Sequence, residues 1–214
     1  MADLIGIDCK LDCTGEIDAI KRASLVFVGR YYRWPKSRFK PLTHNEAVAL
    51  SGAGLFIVAL WEWISNTISN FSYHHGYDQG TSAYHQGMLA HQPSGTPIYF
   101  AVDHDFSAAQ IAGPVGDYFK GIADAFVAMG AGKSSYDVGV YGSGRSCDWL
   151  INRSLAKRSW LAESTKWSGT SAYTSWDIKQ SLSKAPIGGL SSGDKGDFDS
   201  DSARESYGGF QVSS

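Results

Sequence analysis

The stretch Pro97-Ile-Tyr-Phe-Ala-Val-Asp-His-Asp105 joins a buried-strand pattern to two acids. Apolar, β-branched and aromatic residues fill its first part, a composition suited to a strand covered on both faces. Asp103 and Asp105 follow at alternate positions, so strand geometry would send both carboxyls off one face. Acids at the end of a buried strand are costly unless they are partnered or used. Paired carboxylates at a strand's C-terminal end can do general acid/base work on a glycosidic bond. The plainer reading is capping, since Asp105 and Ser107 both precede a helix expected to begin near Ala108.

The elements that must position these acids alternate along nearly the whole chain. Strands are expected at Leu4–Cys9, Leu25–Tyr32, Leu55–Trp63, Ile98–Val102, Asp137–Tyr141, Ser159–Glu163, Ser175–Gln180 and Asp194–Asp199. Helices are expected at Glu16–Ala23, Thr43–Gly54, Tyr73–His91, within Ala108–Met129, and at Arg145–Leu155. Thr43-x-x-Glu46 reads as a capping box at the second of these. Gly76, Gly80 and Gly87 interrupt the third, and their cost inside a helix argues for close packing against a neighbour. Repeated strand–helix units point to an α/β fold, a single (β/α)8 barrel spanning residues 1–214 with irregular last units. An open doubly wound sheet is the alternative, but the first strand is not followed by a glycine-rich phosphate loop.

In such a barrel the site lies at the C-terminal strand ends. Those ends carry Asp8; Arg30, Tyr31 and Tyr32; Trp61 and Glu62; Asp103 and Asp105; Tyr141; Glu163; Gln180; and finally Asp197 with Asp199. Crowded carboxylates repel one another, which raises at least one pKa and supplies a proton donor near neutral pH. Catalysis is therefore expected from Asp105, Asp103, Asp8 and Glu62, and from Asp197 or Asp199 of the last segment. Arg30, Tyr32, Trp61, Tyr141, Glu163 and Gln180 are expected to bind substrate. Asp8, Asp103, Asp105 and Asp197 would also suit a divalent metal, so a metal-dependent hydrolase competes. The leading expectation involves no metal and no other cofactor.

His74, His75, His85 and His91 fall in one helical region and read as surface or packing residues, and His104 alternates away from the two acids. Cys9, Cys13 and Cys147 cannot build a disulfide framework and are expected to be thiols, with a Cys9–Cys13 bridge open to a protein working outside the cell. The 43% apolar content supports a full core, and a net charge of −2 gives no reason to expect nucleic acid or anionic membranes as partners. Seven Trp and eleven Tyr supply flat faces on which sugar rings stack. No apolar run is long enough to span a membrane, and Met1–Asp8 lacks the basic and apolar regions of a signal peptide. The expectation is a monomer acting on a polysaccharide outside the cytoplasm, reached by a phage, by a secretion system or after removal of a leader.

Gly6-Ile-Asp-Cys9, Phe27-Val-Gly-Arg-Tyr-Tyr32, Gly95-Thr-Pro-Ile-Tyr-Phe-Ala-Val-Asp103, Val138-Gly-Val-Tyr-Gly-Ser-Gly144 and Trp160-Leu-Ala-Glu163 occur in order. Together they resemble the glycoside-hydrolase-like domain family related to family 25 lysozymes, over about residues 4 to 200. The resemblance implies a β/α barrel with a site for bacterial cell-wall polysaccharide. It matches Asp8 to an acid closing strand one and Asp103 to the Asp of an Asp-x-Glu motif closing strand four. Asp105 stands where that motif has its Glu proton donor, and Asp197, or else Asp199, matches a late acid. Asp is one methylene shorter than Glu, so three outcomes are open: a tighter cleft, a different donor such as Glu62, or glycan binding without hydrolysis.

Overall fold

The computed structural model describes residues 3–34, 37, 39–162, 164, 166–181 and 198–213. Its strands are β1 (Leu4–Cys9), β2 (Phe27–Tyr32), β3 (Phe56–Trp61), β4 (Pro97–Val102), β5 (Asp137–Gly142), β6 (Arg158–Leu161), β7 (Ile178–Ser181) and β8 (Phe198–Ala203), and they close into a barrel in chain order. The helices are α1 (Ile17–Arg22), α2 (His44–Gly52), α3 (Tyr73–Leu89), α4 (Ala108–Gln110), α5 (Gly116–Met129) and α6 (Gly144–Asn152). Pairing is parallel from β1 through β7, as the strand–helix alternation implies. The last strand departs from that expectation. It begins four residues later than Asp194 and runs antiparallel to both β7 and β1. Residues 182–197, with Asp197 among them, lie outside the described residues, as does Glu163.

Local chemistry explains the element ends. Thr43 caps α2 by accepting from the Glu46 N–H, and Ser107 with Gln110 forms a full capping box at α4. The long helix expected within Ala108–Met129 is divided by a π turn, Ile111–Val115, that contains Pro114. Proline has no N–H to give to the helical ladder, so the backbone takes the wider turn before α5 resumes. Glycines let α3 and α5 touch: a Cβ on Gly80 would lie 3.0 Å from Ile122 Cα.

Strand residues alternate between barrel lumen and helical shell. Phe27, Val58, Leu60, Tyr99, Ala101, Trp160, Ile178 and Ala203 fill the lumen. Opposite parity sends Val28, Ile57, Ala59, Ile98, Phe100 and Val140 into the layer beneath the helices. The lumen is filled by aromatic rings because small residues face them: a Cβ on Gly29 would lie 2.7 Å from the Trp160 indole. At the N-terminal end, Tyr99 donates to the Tyr207 carbonyl at 2.7 Å and Phe27 packs on the Tyr207 ring. That end is thereby plugged, leaving the C-terminal mouth for chemistry. Cys9, Cys13 and Cys147 are all buried thiols.

Candidate active site

Asp8 ends β1 facing the mouth and is only 2% exposed. Tyr31 of β2 donates to its Oδ1 at 2.7 Å, and the Gln180 amide of β7 donates to its Oδ2 at 3.0 Å. Tyr141 of β5 donates to Gln180 Oε1 at 2.9 Å, which fixes the way that amide points. Beneath them the Trp160 indole N–H donates to Asp201 Oδ1 at 2.9 Å. Asp199 and Asp201 pair in register with Asp8 and Gly6, so both lie on the inner face beside Asp8.

Glu62 and Asp103 complete the acid set. Glu62 directly follows β3, where alternation carries it inward; Ser65 donates to its Oε1 at 3.5 Å and Arg33 lies 3.5 Å from its Oε2. The Arg33 guanidinium also covers the Tyr31 ring at 4.7 Å, so the rim cation is held by a carboxylate and an aromatic face together. Burial pushes Asp8 up to about 7, reinforced by the charges of Asp199 and Glu62 and opposed by the Tyr31 and Gln180 donors. Burial also pushes Asp103 up to about 6, with Glu62 adding to the rise and His104 opposing it. Glu62 is raised by burial as well, against Arg33, Ser65 and Lys10. Asp8 and Asp103 thus keep protons at a pH where free carboxyls have lost them, and Glu62 is shifted in the same direction.

Several sequence-expected site residues go elsewhere. Arg30, Tyr32 and Trp61 have outward parity and serve the shell. Arg30 pairs with Glu46 of α2 at 2.5 Å, and its Nη1 donates to the Cys9 carbonyl at 2.7 Å. Tyr32 donates to Gln92 at 3.0 Å, and Trp61 donates to Gln79 of α3 at 2.8 Å. Asp105 does not share the inward face with Asp103, because β4 ends at Val102 and alternation holds only while the chain stays extended. The chain turns there, with the Phe106 N–H donating to the His104 carbonyl. Asp105 instead accepts from Ser168 at 2.9 Å, and the charges bearing on Asp103 are those of Glu62 and His104.

Tyr31, expected only as a strand-end residue, bonds Asp8, and Asp201 lies beneath it; neither Tyr31 nor Asp201 is among the residues expected to catalyse or to bind substrate. Tyr31 shares its β2 parity with Gly29 and Phe27, a parity whose inward sense only the closed barrel fixes, and Asp201 lies beyond the expected last strand, Asp194–Asp199. Among the described residues, no group of three or more His, Cys, Asp or Glu side chains is arranged to hold a metal ion.

Residues 18–201 match the Rv2525c-like, glycoside hydrolase-like domain family. The chain belongs to that family. A relative of this Rv2525c-like domain, the uncharacterised protein YbfG of Bacillus subtilis (strain 168), is 38% identical over 103 residues, which is 45% of this chain and 14% of YbfG. The chain therefore spans a small part of that relative's length. Among solved structures, the Tat-secreted protein Rv2525c of Mycobacterium tuberculosis superposes with a TM-score of 0.73 at 21% identity, covering 96% of this chain and 98% of that one. The bacterial lysozyme of Streptomyces coelicolor superposes with a TM-score of 0.57 at 16% identity, covering 96% and 94%. The Rv2525c-like domain thus shares its barrel with a lysozyme.

Proposed function

We propose that this domain is a lysozyme-like glycosidase that cleaves peptidoglycan or a related amino-sugar polymer outside the cytoplasm. The supporting observation is that Asp8, Glu62 and Asp103 converge on one aromatic-walled mouth, each with its carboxyl pushed upward. Family membership, the lysozyme-like barrel and the secretion of Rv2525c agree with it.

In this reading Glu62 protonates the glycosidic oxygen. It has the reach of the longer side chain, and burial raises its carboxyl against the pull of Arg33, Ser65 and Lys10. Asp103, once ionised, orients the substrate's acetamido group. Asp8, held by Tyr31 and Gln180, stabilises positive charge developing on the sugar ring. Tyr141 and Gln180 position that ring. Asp105 is the alternative donor, and its bond to Ser168 is the reason Glu62 is preferred.

Digestion of purified peptidoglycan, with products analysed by mass spectrometry, tests the assignment. Wild type and Asp105→Asn should release muropeptides with new reducing ends, whereas Glu62→Gln should lose activity by about 100-fold or more. The opposite pattern would return the role to Asp105. The placement of Asp105 away from the other acids favours one competing reading, a barrel that binds cell-wall glycan without cutting it. Retention of fragments with no new reducing ends would establish that reading.

A further inference from the structure

We infer that Asp201 is a neutral carboxylic acid that donates its proton to Asp8 and so serves as a positioning residue beneath the mouth. Asp201 is fully buried on β8, on the inner face shared with Asp8. One of its oxygens accepts from the Trp160 indole, and the other has no donor among the described residues. Asp8 lies diagonally across the β1–β8 pair on the same inner face, and its carboxyl and that of Asp199 are the acids bearing on Asp201. Two ionised carboxylates are both acceptors, so a bond between them requires one proton.

The surroundings decide which acid carries it. Both Asp8 oxygens already accept, one from Tyr31 and one from Gln180, and donors of that kind favour the ionised form. Asp201 receives a single neutral donor and lies deeper. The titratable groups facing it are Asp8 from β1, Asp199 from its own strand and Tyr141 from β5, with neutral Trp160 and Gln180 on β6 and β7. Burial first, and then the charges of Asp8 and Asp199, hold its proton in place. Asp8 is then gripped by three donors from three strands, β2, β7 and β8. That grip lets a buried carboxylate ionise where the proposed reaction needs its charge, so the inference rests on Asp8 having that role.

Asparagine copies a neutral Asp201: its carbonyl can accept from Trp160 while its amide donates to Asp8. Asp201→Asn should fold and leave the pH dependence of melting and of peptidoglycan cleavage unchanged. Asp201→Leu removes the donor and should move the acid limb of activity upward by about one pH unit. If Asp201 were ionised, Asp201→Asn would delete a charge beside Asp8 and move that limb downward; this result, or a failure of the variant to fold, would overturn the inference. Infrared difference spectra of wild type against Asp201→Asn give a readout that needs no turnover. A neutral carboxyl band persisting at about pH 8, above the values for Asp8 and Asp103 and absent from the variant, is expected. Its absence from wild type would sink the inference whether or not the domain cleaves peptidoglycan.

Discussion

At the scale of single residues, the mouth exchanges stability for readiness to react. Asp8 is 2% exposed and its carboxyl is raised to about 7, so ionising it works against folding. Below about pH 4 the group is protonated in folded and unfolded chains alike. As pH rises toward about 7 the unfolded chain sheds the proton and the folded chain retains it, so stability falls, and above that the loss is complete. Asp8→Asn should therefore match wild type in denaturant melts near pH 4 and exceed it by about 1–2 kcal/mol near pH 8. A gain that does not grow with pH would show that the charge is not the cause. Arg30 is the opposite case, a buried charge answered in full by Glu46, and removing either partner would strand the other.

The turn that leaves β3 shows how an element delivers two acids at once. Asn70 donates to the Trp63 carbonyl at 2.8 Å, and the Asp103 N–H donates to the Ser65 carbonyl at 2.8 Å. The turn thereby ties Glu62 to Asp103 through backbone. Between the two anchors Ile64 is held at φ 47°, a left-handed conformation that costs a β-branched residue about 1–2 kcal/mol. It is also 53% exposed, so packing returns little of that cost. Ile64→Asn should raise the thermal midpoint by about 2–4 °C, since Asn tolerates this region and the chain is of moderate length. An unchanged or lower midpoint in calorimetry would mean that the side chain supports the turn in some other way.

Across the whole molecule, the lumen is filled where the buried Trp160 indole lies over Gly29. The indole forms the floor of the mouth, and the Tyr141 ring meets it edge-on at 5.7 Å. Gly29→Ala would place its methyl 2.7 Å from that ring unless the ring moves. The expected cost is about 1–3 kcal/mol in a denaturant melt, with a change in tryptophan fluorescence reporting the displaced floor. A silent substitution would show that the lumen is loosely packed. The antiparallel β8 matters at the same scale, because it is the strand that sets Asp199 and Asp201 against Asp8.

Much of the fold was legible in the chain because the alternation of apolar runs and capped helical patterns is local information. The first seven strands and the main helices lie within a few residues of where propensity and punctuation place them, and Asp8, Glu62, Asp103, Tyr141 and Gln180 could be marked as strand-end residues. Which side of each strand faces the lumen was not legible. Barrel strands are buried on both faces, so Arg30, Tyr31 and Tyr32 look equally interior in sequence, and only closure of the sheet turns Tyr31 inward. The end of β4 was likewise beyond alternation alone, since a single turn after Val102 takes Asp105 to Ser168. The pairing of β8 with β1, which sets Asp199 opposite Asp8 and Asp201 opposite Gly6, joins segments far apart in the chain, and contacts that distant along the sequence exist only once the barrel has closed.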